Sequence, residues 1–198
     1  MDEPRPFEPA VLPLGAPALD DPLVLAMPRK ELFRITGFVT TIDIAIIEAV
    51  AEDSWYGAAS TLVGNLDAKE VRIALVFTQG EQVLLDEGGN LFHTTRVGPE
   101  VAKLGKGLKG LRDLARVAGA HFLGVPEIRC ELAGLLNEDA LAEHRNTFYL
   151  VYRCRLGDVA TPPAGFTWLG IARLALMPLD PVSIVVAGGL FPASPSHA

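Results

Sequence analysis

Between positions 103 and 116 the chain places Lys103, Lys106, Lys109, Arg112 and Arg116 around one acid, Asp113. The lysines alternate with Gly105, Gly107 and Gly110, which reads as a flexible cationic loop running into a helix predicted over Leu111–Gly119. Lysine charge and the unpaired N–H groups of a helix start suit a phosphate. No GK[ST] follows, so this is not a Walker loop. Asp113 stands one helical turn from Arg116, a spacing that makes an ordinary salt bridge. As a catalytic acid it would be alone, and one carboxylate holds Mg²⁺ only when substrate phosphates complete the site. A solvated lysine–glycine loop is the plain alternative.

The elements that must position this stretch can be read on either side of it. Residues 1–27 carry Pro4, Pro6, Pro9, Pro13 and Pro22 and read as an extended arm, with the domain starting at Met27–Pro28. Pro28 followed by Glu31, Leu32, Phe33 and Ile35 suits a short helix. Ile42–Ala51 is apolar on more than one face and reads as a buried helix, and Ser54–Asp67 as irregular connection. Val71–Phe77 and Gln82–Leu85 flank a turn-prone segment and predict a β-hairpin, with a third strand over Leu91–Val97. Beyond the cationic stretch, Glu127–Leu136 and Arg145–Leu156 predict strands, the second holding the run Thr147–Tyr152. Trp168–Phe191 is apolar but interrupted by Arg173, Pro178, Asp180 and Pro181, so a short helix, a turn and a helix over about Pro181–Leu190 fit better than a membrane span. The expected class is α+β, a mixed β-sheet flanked by helices. Residues 28–192 form the domain and 193–198 a tail.

Composition narrows the partners. With 198 residues the chain is sized for one domain. A formal charge of −7 argues against general binding to nucleic acid or to an anionic membrane. Hydrophobic residues make up 49% and the mean hydropathy is +0.30, which points to a homo-oligomer, a dimer in the first instance. Cys130 and Cys154 have no metal-ligand spacing and read as buried thiols, and the acidic, proline-rich opening is no signal peptide, so a cytoplasmic protein is expected. His93, His121 and His144 are unclustered and read as structural. Trp55, Tyr56 and Trp168 have the rings to stack on a nucleobase, but such residues serve equally as core.

One family pattern fits the central stretch. Gly98, Leu104 and Arg112-Asp113-Leu114-Ala115-Arg116-Val117-Ala118-Gly119-Ala120 keep the spacing of the Nudix box, which runs G, five residues, E, seven residues, then R-E-hydrophobic-x-E-E-x-G-hydrophobic. Pro28-Arg29-Lys30-Glu31-Leu32-Phe33, Lys69-Glu70, Gly134-Leu135-Leu136-Asn137-Glu138 and His144-Arg145 follow the order of segments in a phosphoesterase-like Nudix subgroup. The chain therefore resembles a Nudix hydrolase over about residues 28–156. The resemblance implies an α/β/α sandwich and, in the family, glutamates that hold Mg²⁺ or Mn²⁺ against a diphosphate. Here Leu104, Arg116 and Val117 replace those glutamates, and only Asp113 stays acidic.

Two expectations result. The first is a non-catalytic Nudix-like domain, without a cofactor, that binds a nucleotide or other phosphorylated small molecule through Lys103, Lys106, Arg112 and Arg116, or that serves as an interaction subunit. The second is a Mg²⁺-dependent pyrophosphohydrolase that keeps Asp113 as a catalytic residue and recruits ligands from Glu100, Glu127, Glu138 or Asp139.

Overall fold

The computed structural model describes residues 21–103, 107–157 and 160–192. Lys106, Leu104, the arm up to residue 20 and the tail lie outside the described residues. In chain order the elements are β1 (Leu23–Pro28), a 3₁₀ turn (Arg29–Leu32), β2 (Gly37–Val39), α1 (Ile44–Glu52), β3 (Trp55–Ala58) and α2 (Ala59–Leu62). There follow β4 (Ala68–Gln79), β5 (Gln82–Asp86), β6 (His93–Arg96), a 3₁₀ turn (Pro99–Lys103) and α3 (Gly107–Leu123). The chain closes with β7 (Arg129–Asn137), β8 (Thr147–Leu156), β9 (Phe166–Gly170), a 3₁₀ turn (Ile171–Leu176) and α4 (Pro181–Leu190).

The sheet is mixed, with strand order β2-β7-β8-β4-β1-β3; β5 and β6 also pair with β4, and β9 pairs with β5. Its centre is the parallel pair β4–β8, in register from Glu70 opposite Thr147 to Gln79 opposite Leu156. A parallel pair is normally covered on both faces, and the alternation along β4 shows how. Val71, Ile73, Leu75 and Phe77 point into one cluster with Ile46, Ile47, Val50, Leu111, Ala115 and Leu123 of α1 and α3. Ala74 and Val76 point the other way, into a cluster with Val182, Val186 and Ala187 of α4. The result is helix, sheet, helix: the expected α+β sandwich.

Several elements differ from the sequence reading. Leu23–Met27, assigned to the arm, are part of β1, which pairs with both β3 and β4. Pro22 and Pro28 bracket this strand rather than interrupting it, as proline can at strand ends. Ser54–Asp67 contains β3 and α2 instead of a plain connection. Within the expected loop Lys103–Gly110, Lys103 ends a 3₁₀ turn and residues 107–110 form the first turn of α3, which the chain enters at Gly107 with φ +54°. Trp168 lies in β9, paired with Leu84 of β5, so the apolar segment after it begins as a strand. The closing helix matches at Pro181–Leu190, with Asp180 capping Val182 N at 3.0 Å and Ser183 N at 3.3 Å. Among the described residues no helix is long and apolar enough to cross a membrane. Cys130 and Cys154 are free, buried, and opposite each other on β7 and β8.

Candidate functional site

The box stretch is presented by β6, whose end runs into Gly98. The Val97 carbonyl accepts from Leu25 N at 2.7 Å, tying this entry to β1. Glu100 folds back over Gly98, where any side chain would collide with its carboxylate. Tyr56 of β3 is close enough to feel that carboxylate: burial first, and the Glu100 charge second, push its phenol above the ordinary value.

α3 packs along one stripe. Gly110, Leu111, Ala115, Gly119 and Leu123 are buried, the i, i+4 pattern of a helix lying on a sheet. Gly119 is the point of closest approach, since a Cβ there would sit 3.3 Å from the Phe77 ring and 3.5 Å from Ile128. A small residue at position 119 is thus needed for packing alone.

The opposite stripe carries the charges. Arg112, Arg116 and Val117 are exposed and Asp113 is partly buried. Asp113 Oδ1 lies 3.5 Å from Arg116 Nη1 and 4.0 Å from Arg112 Nε. Arg116 also reaches Glu127 Oε1 at 3.6 Å. Both guanidiniums are about half exposed, so each pair is worth at most ~1 kcal/mol. The first turn of α3 has no acidic residue, and exposed Lys103 and Lys109 flank its start. The start of α3 packs against the C-terminal end of α1, where a Cβ at Gly107 would lie 3.6 Å from Ala51, and its partial positive charge faces that end and the two lysines.

A divalent cation does not fit these residues. Of the positions where the family carries its ligand glutamates only Asp113 is a carboxylate, already flanked by two arginines, and Val117 has no donor atom. Among the described residues no group of three His, Cys, Asp or Glu side chains could hold a metal. The alternative ligands are scattered: Glu127 is beside Arg116, whereas Asp139 is on the loop after β7, 2.5 Å from Arg29 Nη1 and 3.0 Å from Lys69 Nζ.

That second cluster gathers the segments flanking the box. Lys69 is fully buried and donates to Asn137 Oδ1 at 2.5 Å. Asn137 Nδ2 donates to the carbonyls of Ile35 at 2.8 Å and Leu32 at 3.3 Å. Arg29 donates to the Arg145 carbonyl at 3.0 Å and to Asn146 Oδ1 at 3.2 Å. Lys69 Nζ meets two oxygens, Asn137 Oδ1 and Asp139 Oδ1, and Asn137 Nδ2 meets two carbonyls, which is what keeps burial of such groups tolerable, while Arg29 Nε is buried without a partner among the described residues. Burial lowers the Lys69 ammonium from its ordinary value, with Asp139 opposing that shift. Burial alone would raise the Asp139 carboxyl, but the hydrogen bonds and charges of Lys69 and Arg29 outweigh it and hold the group low. The sequence pointed to these segments separately; nothing in it showed that they meet, because the partners are more than sixty positions apart.

The histidines are structural in their surroundings. His93 stacks on Phe122 with 4.1 Å between ring centroids, and burial lowers its basicity. His144 Nδ1 lies 2.8 Å from Tyr149 Oη. Trp168 is anchored by Nε1 donating to the Ala160 carbonyl at 2.7 Å. Trp55 and Tyr56 are partly open, with 43% and 37% of their surface exposed, and Phe33 is more open still at 76%.

No family model and no curated protein matches this chain. The fold, however, is similar to the solved structure described as "Tm1382, a putative Nudix hydrolase", with a TM-score of 0.66 over 84% of this chain and 96% of that one. Sequence identity between the two is 12%, so the likeness is one of fold.

Proposed function

We propose that this chain is a non-catalytic domain of Nudix-like fold that binds a nucleotide or another phosphorylated small molecule at the N-terminal end of α3. The observation that supports this reading is the charge distribution of that helix. Its only acid within the box, Asp113, lies between Arg112 and Arg116, while its first turn has no acid and stands beside Lys103 and Lys109. A polyanion gains from such an end without any metal, by about 0.3–1 kcal/mol per charge for the helix terminus and by charge-assisted hydrogen bonds to the guanidinium groups. Lys103, Lys106, Arg112 and Arg116 are the residues assigned to it.

Calorimetric titration with ADP in the presence of a chelator tests the reading. Heat of binding that persists without divalent metal, and that falls when Lys103 and Arg112 are changed together to Glu, supports it. Absence of binding by any nucleoside diphosphate derivative would remove it. Turnover that requires Mg²⁺ and disappears in Asp113→Asn would instead establish the pyrophosphohydrolase. The apolar composition also leads us to propose self-association, for which light scattering should give at least a dimer mass; a monomer mass contradicts it.

A further inference from the structure

The chain has two cysteines, and the fold sets them face to face. Cys130 of β7 and Cys154 of β8 are direct partners across the antiparallel ladder. Both side chains lie on the face of the sheet that α1 and α3 cover, within one hydrophobic cluster. Directly opposed residues of antiparallel strands have Cα atoms about 4.5 or 5.5 Å apart, depending on the hydrogen-bond pattern. Either separation falls inside the window of about 4.4–6.8 Å that a disulfide needs. The thiols are already in touch: a hydrogen bond with Cys130 first, and burial second, push the Cys154 thiol above its ordinary range.

The two members of the pair are not equally sheltered. Cys154 has no exposed surface, whereas Cys130 keeps 5%. β2 pairs with β7 only from Leu135 to Asn137, so among the described residues no strand covers the outer side of β7 at Cys130. A small uncharged oxidant therefore meets Cys130 first. Over Cys154 lies α3, where a Cβ at Gly119 would sit 3.8 Å from the Cys154 Sγ, so the sulfur is closed from that side.

We propose that Cys130 and Cys154 are a redox pair, which a peroxide converts into a reversible disulfide stapling β7 to β8 beneath α3. In the first step the Cys130 sulfur attacks one peroxide oxygen, the O–O bond breaks, and the other oxygen leaves as water with the thiol proton. The sulfur, oxidised by two electrons, is then a sulfenic acid. In the second step the Cys154 sulfur attacks it, the S–S bond forms, the S–O bond breaks, and the hydroxyl leaves as water with the Cys154 proton. One peroxide is reduced to two waters for each disulfide made. The shared hydrogen bond and burial keep Cys154 protonated, and a protonated thiol is a poor nucleophile. The pair thus answers sustained oxidant rather than a brief exposure. The inference is independent of the anion reading of α3, and either can fail alone.

The test is intact-mass analysis of the full chain after treatment with hydrogen peroxide, removal of the peroxide by catalase, and alkylation with iodoacetamide in denaturant. The expected product has lost two hydrogens, takes up no alkyl group, and on digestion yields peptides joined through Cys130 and Cys154. Dithiothreitol should restore both alkylatable thiols. The linked form should also melt about 5 °C or more above the reduced form, a shift that peroxide does not produce in Cys130→Ala. Chains that keep both thiols after peroxide, that carry sulfinic or sulfonic acid without a linked peptide, or that join through the cysteines of two copies overturn the inference. So does a linked form that melts no higher than the reduced one. The wild-type masses decide the matter even if Cys130→Ala fails to fold.

Discussion

Lys69 has no exposed surface, and its ammonium is satisfied by Asn137 and Asp139 alone among the described side chains. Removing one partner of a buried charge leaves that charge desolvated, at a cost of about 1–3 kcal/mol. Asp139→Ala should lower the unfolding free energy by roughly that amount, measurable by urea denaturation; a change within error would mean that water takes over the carboxylate's place. The pH dependence has a definite sign. The folded Asp139 carboxyl is held below its ordinary value, so it contributes stability that is fully present above the unfolded value of about 3.9 and is lost as pH falls through the folded one. His93 acts in a higher window: its folded form resists protonation, so stability declines as pH drops below about 6.5 until the folded group also titrates. Titrating unfolding midpoints should show that decline in the wild type and its loss in His93→Phe. At this scale the sequence was least legible. Arg29, Lys69 and Asn137 are ordinary polar residues when read in order, and become a network only through pairings such as Gly37 with Asn137 and Glu70 with Thr147.

Among the elements, α3 is kept by its packing stripe and not by its charges. Gly119→Leu would drive a side chain into Phe77 and Ile128 and should destabilise by about 1–3 kcal/mol, whereas Val117→Glu, on an exposed position, should be nearly neutral to folding. Thermal melts of the two variants separate these expectations; equal losses would mean that Val117 is packed. The cap of α4 makes a second case. Asp180 accepts from two helix N–H groups, and Asp180→Ala should cost about 1 kcal/mol in the same assay. That helix was legible because Asp180-Pro181 is a start signal written locally. β1 and β3 were not, because their pairing comes from strands distant in sequence. Trp55–Ala58 has only four residues, one of them glycine, and its strand conformation is supplied by Leu23–Ala26 across the ladder. β9 was missed for the same reason, since Gln82–Asp86 is its template.

For the whole molecule, the layered architecture was legible in the order of predicted elements: strands, one embedded helix, more strands and a closing helix. In the proposed reading α3 is a helix kept for shape: Gly119 fits under the sheet's constraint, while Arg116 and Val117 face solvent. The role of the replaced positions is a matter of charge, and charge is read best by a ligand. The decisive measurement is a paired titration with ADP, once in chelator and once in Mg²⁺, with phosphate and AMP release followed in the second. The account predicts binding in both conditions, reduced by raised salt and by the Lys103→Glu, Arg112→Glu double variant, with no product formed. Magnesium-dependent release of phosphate or AMP, abolished by Asp113→Asn, would contradict it.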